Sequence, residues 1–149
     1  MKLMIMRHGE AGAHAVDAQR CLTSRGQAEC QRVAGQMAKS SWKPAAVWSS
    51  PLVRAQQTAN IVAAGFGLDI KSFGSLVPES DPLALIETLQ QYASAEPLLL
   101  VSHMPLVGEL FAILVDGRGS YGFSTSQVVC LEMDIAAAGC GEFRHRFLP

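Results

Sequence analysis

MKLMIMRHGEAG, residues 1–12, runs five largely apolar residues straight into Arg7, His8 and Gly9. A short, continuous apolar run of this kind is the pattern of a strand buried on both faces, as in a parallel sheet. In open α/β sheets, ligands bind outside the carboxyl ends of the strands. A cationic side chain and an imidazole at the end of this strand therefore stand where such a sheet presents its working residues.

Moving outward, strand and helix signals alternate. LTSRGQAECQRVAGQMAKS (22–40) places Cys30, Val33, Ala34 and Met37 at the i, i+3, i+4, i+7 spacing of an amphipathic helix. Thr23 or Ser24 fits as its cap, and Ser24 with Gln27 has capping-box spacing. AAVWS (45–49) reads as a second strand. SPLVRAQQTANIVAAGFG (50–67) then reads as a helix with Ser50 as cap, Pro51 at the first helical position, and Gly65 or Gly67 beyond its end. LDIKSF (68–73) is a third, more exposed strand. SDPLALIETLQQYA (80–93) repeats the cap-then-proline signature at Asp81 and Pro82, with Leu83, Ile86 and Leu89 on its buried face.

PLLLVS (97–102) is another fully buried strand, followed by the helix HMPLVGELFAILVDG (103–117), stopped near Gly117. QVVCLEMD (127–134) and GEFRHRFL (141–148), around AAAGC, form a β-hairpin. Strands alternating with helices specify an α/β domain with a mostly parallel sheet, antiparallel at one side. There is no repeat and no linker-like stretch, so residues 1–149 read as one domain.

Composition narrows the function classes. The chain has 149 residues, enough to bury ~70% of its unfolded surface. Apolar residues make up 49% and charged ones 17%, with a formal net charge of -1 and no long basic run. Nucleic-acid binding needs several Lys or Arg to neutralise phosphates, so no nucleic-acid partner is expected. Any anion site must be local. Cys21, Cys30, Cys130 and Cys140 form no C-x-x-C pair, which removes support for zinc-ribbon and thioredoxin readings. The N-terminus lacks a signal-peptide pattern, and the longest apolar runs are too short to span a bilayer. The expectation is a cytoplasmic protein with no membrane partner.

Three of the strands end in residues with chemistry: Arg7 and His8; Ser49 and Ser50 with Arg54 shortly after; and His103. If those strands are neighbours, two arginines and two histidines converge on one sheet edge. Guanidinium forks match phosphate oxygens, and a helix N-terminus adds N–H groups and partial positive charge. A histidine with a neutral, free ring nitrogen is a nucleophile toward phosphorus, and flanking cations depress its pKa. Gly9 allows close approach of backbone and ligand. Ser49 and Ser50 read as strand end and helix cap. Glu10 either tunes His8 or lies in a solvated loop. His14 and His145 read as exposed, and Met4, Met6, Met37 and Met104 as core or pocket wall. His8-Gly9-Glu10 has the H-x-E spacing of zinc deaminases, but their P-C-x-x-C partner is missing, so no metal is expected.

RHGEA (7–11), LTSRGQAE (22–29), SSPLVRAQQTA (49–59) and VSHMPLVGEL (101–110) resemble the four blocks of the histidine phosphatase superfamily. These are the R-H-G proteins that include phosphoglycerate mutases and acid phosphatases, and the blocks keep the family's order. The resemblance implies a phosphoglycerate mutase-like three-layer α/β/α sandwich and a catalytic mechanism without cofactor or metal. It makes His8 the nucleophile that forms a phosphohistidine intermediate. Arg7, Arg54 and His103 would hold the phosphoryl oxygens, with Gly9 beside them. SHMPLVG (102–108), the short chain and FSTSQVV (123–129) resemble the SixA type, the small phosphohistidine phosphatases of that superfamily.

The implied substrate is a phosphorylated signalling protein such as a histidine phosphotransfer domain, acted on by a monomer. Family members that cleave phosphate esters carry a glutamic acid followed by glycines. Here LVPESDPLAL (76–85) offers Glu79 without that glycine pattern, and Asp81 reads as a helix cap. Glu79 is therefore the possible acid in the alternative reading, a small-molecule phosphate monoesterase. A non-catalytic phosphate-binding module is the other alternative.

Overall fold

In the computed structural model, which describes residues 1–92 and 94–149, six strands form a single sheet. They are β1 (Lys2–Arg7), β2 (Ala46–Ser49), β3 (Ile70–Ser72), β4 (Leu98–Ser102), β5 (Val128–Glu132) and β6 (Glu142–Phe147), in the spatial order β3-β2-β4-β1-β5-β6. The strands from β3 to β1 run parallel, while β5 is antiparallel to β1 and β6 antiparallel to β5. The helices are α1 (Ser24–Ala38), α2 (Val53–Ala64), α3 (Pro82–Gln91) and α4 (Leu106–Asp116).

The pleat sends successive side chains of the central strands to opposite faces. Leu3, Ile5, Leu98 and Leu100 join one core with Leu85, Ile86 and Leu89 of α3 and Leu106, Leu110 and Leu114 of α4. Met4, Met6, Leu99 and Val101 join the other with Cys30, Val33 and Met37 of α1 and Ala55, Ala59 and Val62 of α2. β4 is buried along its whole length, which is why its sequence is apolar without alternation. The three layers of the expected sandwich are thus present, with the hairpin on one side. Among the described residues, no helix is long and apolar enough to cross a membrane. The four cysteines are unpaired.

Register fixes the functional edge. Arg7 pairs with Ser102, and Ser49 with Val101, so β1, β2 and β4 end level. The next residues, His8, Ser50 and His103, leave the sheet side by side.

Local details depart from expectation at several places. Thr23 caps α1, its hydroxyl accepting the Gly26 N–H at 3.0 Å, so Ser24 is helical and the Ser24–Gln27 capping box is not formed. α2 starts at Val53 and not at Pro51, because Leu52 is still extended (φ -68°, ψ 141°). Asp81 caps α3 as expected, its carboxylate accepting the Leu83 N–H at 2.9 Å. Leu83 itself is 57% exposed, and the buried residues of α3 are Leu85, Ile86 and Leu89. The spacing 83, 86, 89 drifts around a helix of 3.6 residues per turn, leaving Leu83 outside the stripe that Leu85 helps define. Ala93, the last residue of that predicted segment, lies outside the described residues.

Candidate active site

The site grows from the loop that leaves β1. The His8 N–H donates to the Ser102 carbonyl at 2.9 Å, and the Arg7 N–H donates to the Gln127 carbonyl at 3.1 Å. The chain is then pressed against α1. A Cβ on Gly9 would lie 2.7 Å from Cys30 Sγ, and one on Gly26 would lie 2.2 Å from the Glu10 carbonyl oxygen. Both positions therefore take glycine for space. The Gly9 N–H donates to Thr58 Oγ1 at 3.0 Å, and that hydroxyl donates to the Arg54 carbonyl at 2.8 Å. From the other side, the Ser126 N–H lies 3.1 Å from both the Arg7 and the His8 carbonyl oxygens. Ser126 is fully buried with φ 65°, a conformation costly for a residue with a Cβ and typical of functional loops.

His8 and His103 are nearly buried, their rings 4.9 Å apart and tilted. His8 Nδ1 lies 2.7 Å from the Gly9 carbonyl oxygen. A carbonyl can only accept, so Nδ1 carries the proton and Nε2 keeps its lone pair. Burial, with Arg54, Arg7 and Arg20 adding charge repulsion, pushes the His8 pKa down to about 4 against the opposing bond to Gly9. Burial, with His8, Arg54 and Arg7 nearby, takes His103 down to about 3, against an upward pull from Asp17. Both rings are neutral at pH 7.

His103 Nε2 lies 2.7 Å from Ser50 Oγ, which already accepts the Leu52 N–H at 3.2 Å. Where Ser50 donates its hydroxyl proton to Nε2, Nδ1 of His103 carries the ring hydrogen and is a donor. The two arginines are anchored by their terminal nitrogens. Arg7 Nη1 donates to the Phe123 carbonyl at 2.7 Å, and Arg54 Nη1 donates to the Asp17 carbonyl at 3.0 Å. Among the described residues, the buried side-chain nitrogen and oxygen atoms without a hydrogen-bond partner are Arg7 Nε, Arg54 Nε and His103 Nδ1. Buried polar groups are normally paired. Arg7 Nε and Arg54 Nε, with His103 Nδ1 in the tautomer that bears its hydrogen there, are buried donors free for an oxyanion.

The model for the histidine phosphatase superfamily (branch 1) matches residues 3–76. Over its full length the chain is 32% identical to the phosphohistidine phosphatase SixA of Escherichia coli (strain K12), of which it covers 94%. The chain belongs to the histidine phosphatase superfamily. It is also 31% identical, over 90% of its length and 89% of the relative, to a SixA homolog of Haemophilus influenzae. A solved structure of the protein histidine phosphatase SixA with tungstate superposes at TM-score 0.91 and 31% identity, covering 100% of this chain and 97% of that one. The fold and the family make this chain a phosphatase.

The family's blocks come together as the strand ends implied, with Arg7, His8, Gly9, Arg54 and His103 at one edge. Glu79 is exposed in a turn three residues beyond Leu76, whose carbonyl accepts the Ser102 hydroxyl at 2.6 Å, and among the described residues its carboxylate has no hydrogen-bond or ion-pair partner. Glu10 receives the Thr23 hydroxyl at 2.9 Å and so braces the start of α1. His14 and His145 are exposed; Met4, Met6 and Met37 are core, and Met104 packs against it. Among the described residues, no three His, Cys, Asp or Glu side chains gather as a metal site.

Sequence reading missed three contributors. Ser50 orients His103, Thr58 fixes the Gly9 backbone, and Asp17 grips Arg54. Ser50 alone carried a local signal, its place one step beyond β2.

Proposed function

We propose that this phosphatase removes phosphoryl groups from histidine side chains of phosphorylated proteins, such as histidine phosphotransfer domains, by way of a phosphohistidine on His8. The observation that carries the reading is the trio of unpartnered buried nitrogens, Arg7 Nε, Arg54 Nε and His103 Nδ1, on residues around a neutral His8 with a free Nε2. In this reading His8 Nε2 attacks phosphorus in line, the substrate's P–N bond breaks, and the leaving imidazole departs neutral because its other nitrogen carries a proton. Water then attacks the phosphoryl group. The P–N electrons return to His8 Nε2; water supplies the fourth oxygen of inorganic phosphate and two protons, one staying on the phosphate and one released. The donors are fixed before the reaction, which is how protein groups stabilise charge in phosphoryl transfer.

Phosphohistidine is favoured over esters by the full-length similarity to phosphohistidine phosphatases and by the carboxylates. An alkoxide leaving group needs an acid; the Asp17 carboxylate is paired with arginines, and Glu79 lacks the glycines that follow the acid in ester-cleaving members. The test is turnover of a phosphohistidine-bearing phosphotransfer domain beside a panel of phosphate monoesters. Fast loss from phosphohistidine with slow ester cleavage is expected, and none of it from His8→Ala. Preference for esters would overturn the substrate assignment and return Glu79 to consideration.

A further inference from the structure

Arg54 has 5% of its side chain exposed, and both of its terminal nitrogens are engaged by one residue. Nη1 donates to the Asp17 carbonyl at 3.0 Å and Nη2 to Asp17 Oδ2 at 3.3 Å, while Nε has no partner. The other carboxylate oxygen of Asp17 accepts from Arg20 Nη1 at 3.3 Å, and Arg20 Nε is held by the Gly12 carbonyl at 2.8 Å. A bridge between Ala11 and Leu22 closes this loop at its base. Asp17 thus stands at the rim, its side chain 66% exposed, as a carboxylate shared by two arginines. Arg20 and Arg54 hold its carboxyl below the usual carboxylate range, so it is ionised at neutral pH. Its charge is felt inside, where it pulls the His103 pKa upward.

We propose that Asp17 is a built-in counter-charge that limits how tightly the pocket holds free phosphate, so that the product leaves. This rests on the reading of the pocket as a phosphoryl site. A phosphoryl oxygen accepting from Arg54 Nε sits on the same guanidinium as the Asp17 carboxylate, and the two negative groups repel. A protein-borne phosphoryl group can draw binding from contacts outside the pocket. Inorganic phosphate has the pocket alone, and the counter-charge acts on all of its affinity.

Asp17→Asn tests this, because the amide keeps an oxygen acceptor for Arg54 Nη2 and nearly the same volume while removing the charge. Inorganic phosphate binding to the full chain, followed by calorimetry, is expected to tighten about five- to tenfold, as for charges a few ångströms apart at partly screened dielectric. The gain should shrink toward nothing in ~1 M salt, where the screening length falls to about 3 Å. Asp17→Glu, which keeps the charge, should not tighten binding. Unchanged or weaker phosphate binding in Asp17→Asn would overturn the proposal and reduce Asp17 to a brace for Arg54. A wild-type chain that binds no phosphate under any of these conditions would instead remove the phosphoryl-site reading, and the counter-charge with it.

Discussion

Arg54 shows what a single side chain is asked to do. Its charge is buried, its terminal nitrogens are fixed by Asp17, and its Nε is left as a donor of set direction. A lysine would keep the charge and lose both the fork and the anchor. Arg54→Lys should therefore lower kcat by about a hundredfold, the scale seen when one preorganised donor is removed from an oxyanion site. Steady-state kinetics on the phosphohistidine protein decides the matter, since unchanged activity would take Arg54 out of the phosphoryl site. The residue level is also where sequence reading was strongest and weakest. Arg7, His8, Arg54 and His103 carry strong local signals, three at strand ends and all within recognisable blocks. Asp17 acts through a partner 37 residues away, which no local pattern encodes; Ser50 is marked by its place beyond β2, but its partner lies 53 residues away.

At the level of elements, α1 is locked to the loop carrying His8 by contacts without slack. Gly26 faces the Glu10 backbone so closely that an added Cβ would lie 2.2 Å from its carbonyl oxygen. Backbone cannot swing aside as a side chain can, so Gly26→Ala should cost about 1–3 kcal/mol, the usual range for overpacking. Denaturant unfolding checks that figure, and a loss of activity should accompany it, because Glu10 is two residues from His8. The start of α2 teaches the converse. Pro51 after Ser50 has the form of a helix opening, but the Ser50 hydroxyl turns to the Leu52 N–H and to His103, and the helix begins at Val53. The cap signal was overridden by the site. Similarly, Leu83 fits an apolar spacing but sits on the open side of α3, since packing against the sheet selects Leu85 instead.

For the whole molecule, the apolar strands β1 and β4 and the alternation of strand and helix made the sandwich legible, while strand order came only with the structure. That order gathers two buried neutral histidines, and it ties stability to pH. In the folded chain His8 and His103 have pKa values of about 4 and about 3, whereas in the unfolded chain they take protons near 6.5. Between those limits the unfolded state binds more protons, so stability is full above about pH 6.5 and falls as pH drops toward 4. The loss should be on the order of a few kcal/mol, and His103→Asn should flatten the slope of unfolding free energy against pH. A slope unchanged in that variant would mean the ring is not held neutral.

The central claim is that His8 accepts the phosphoryl group. Radiolabelled phosphohistidine protein, mixed briefly with the enzyme and quenched in alkali, where phosphohistidine survives, tests it most directly. The expected result is label on the peptide containing His8, absent from His8→Ala and decaying as phosphate is released. Full turnover with no label on that peptide at any time, or turnover undiminished in His8→Ala, would contradict the account.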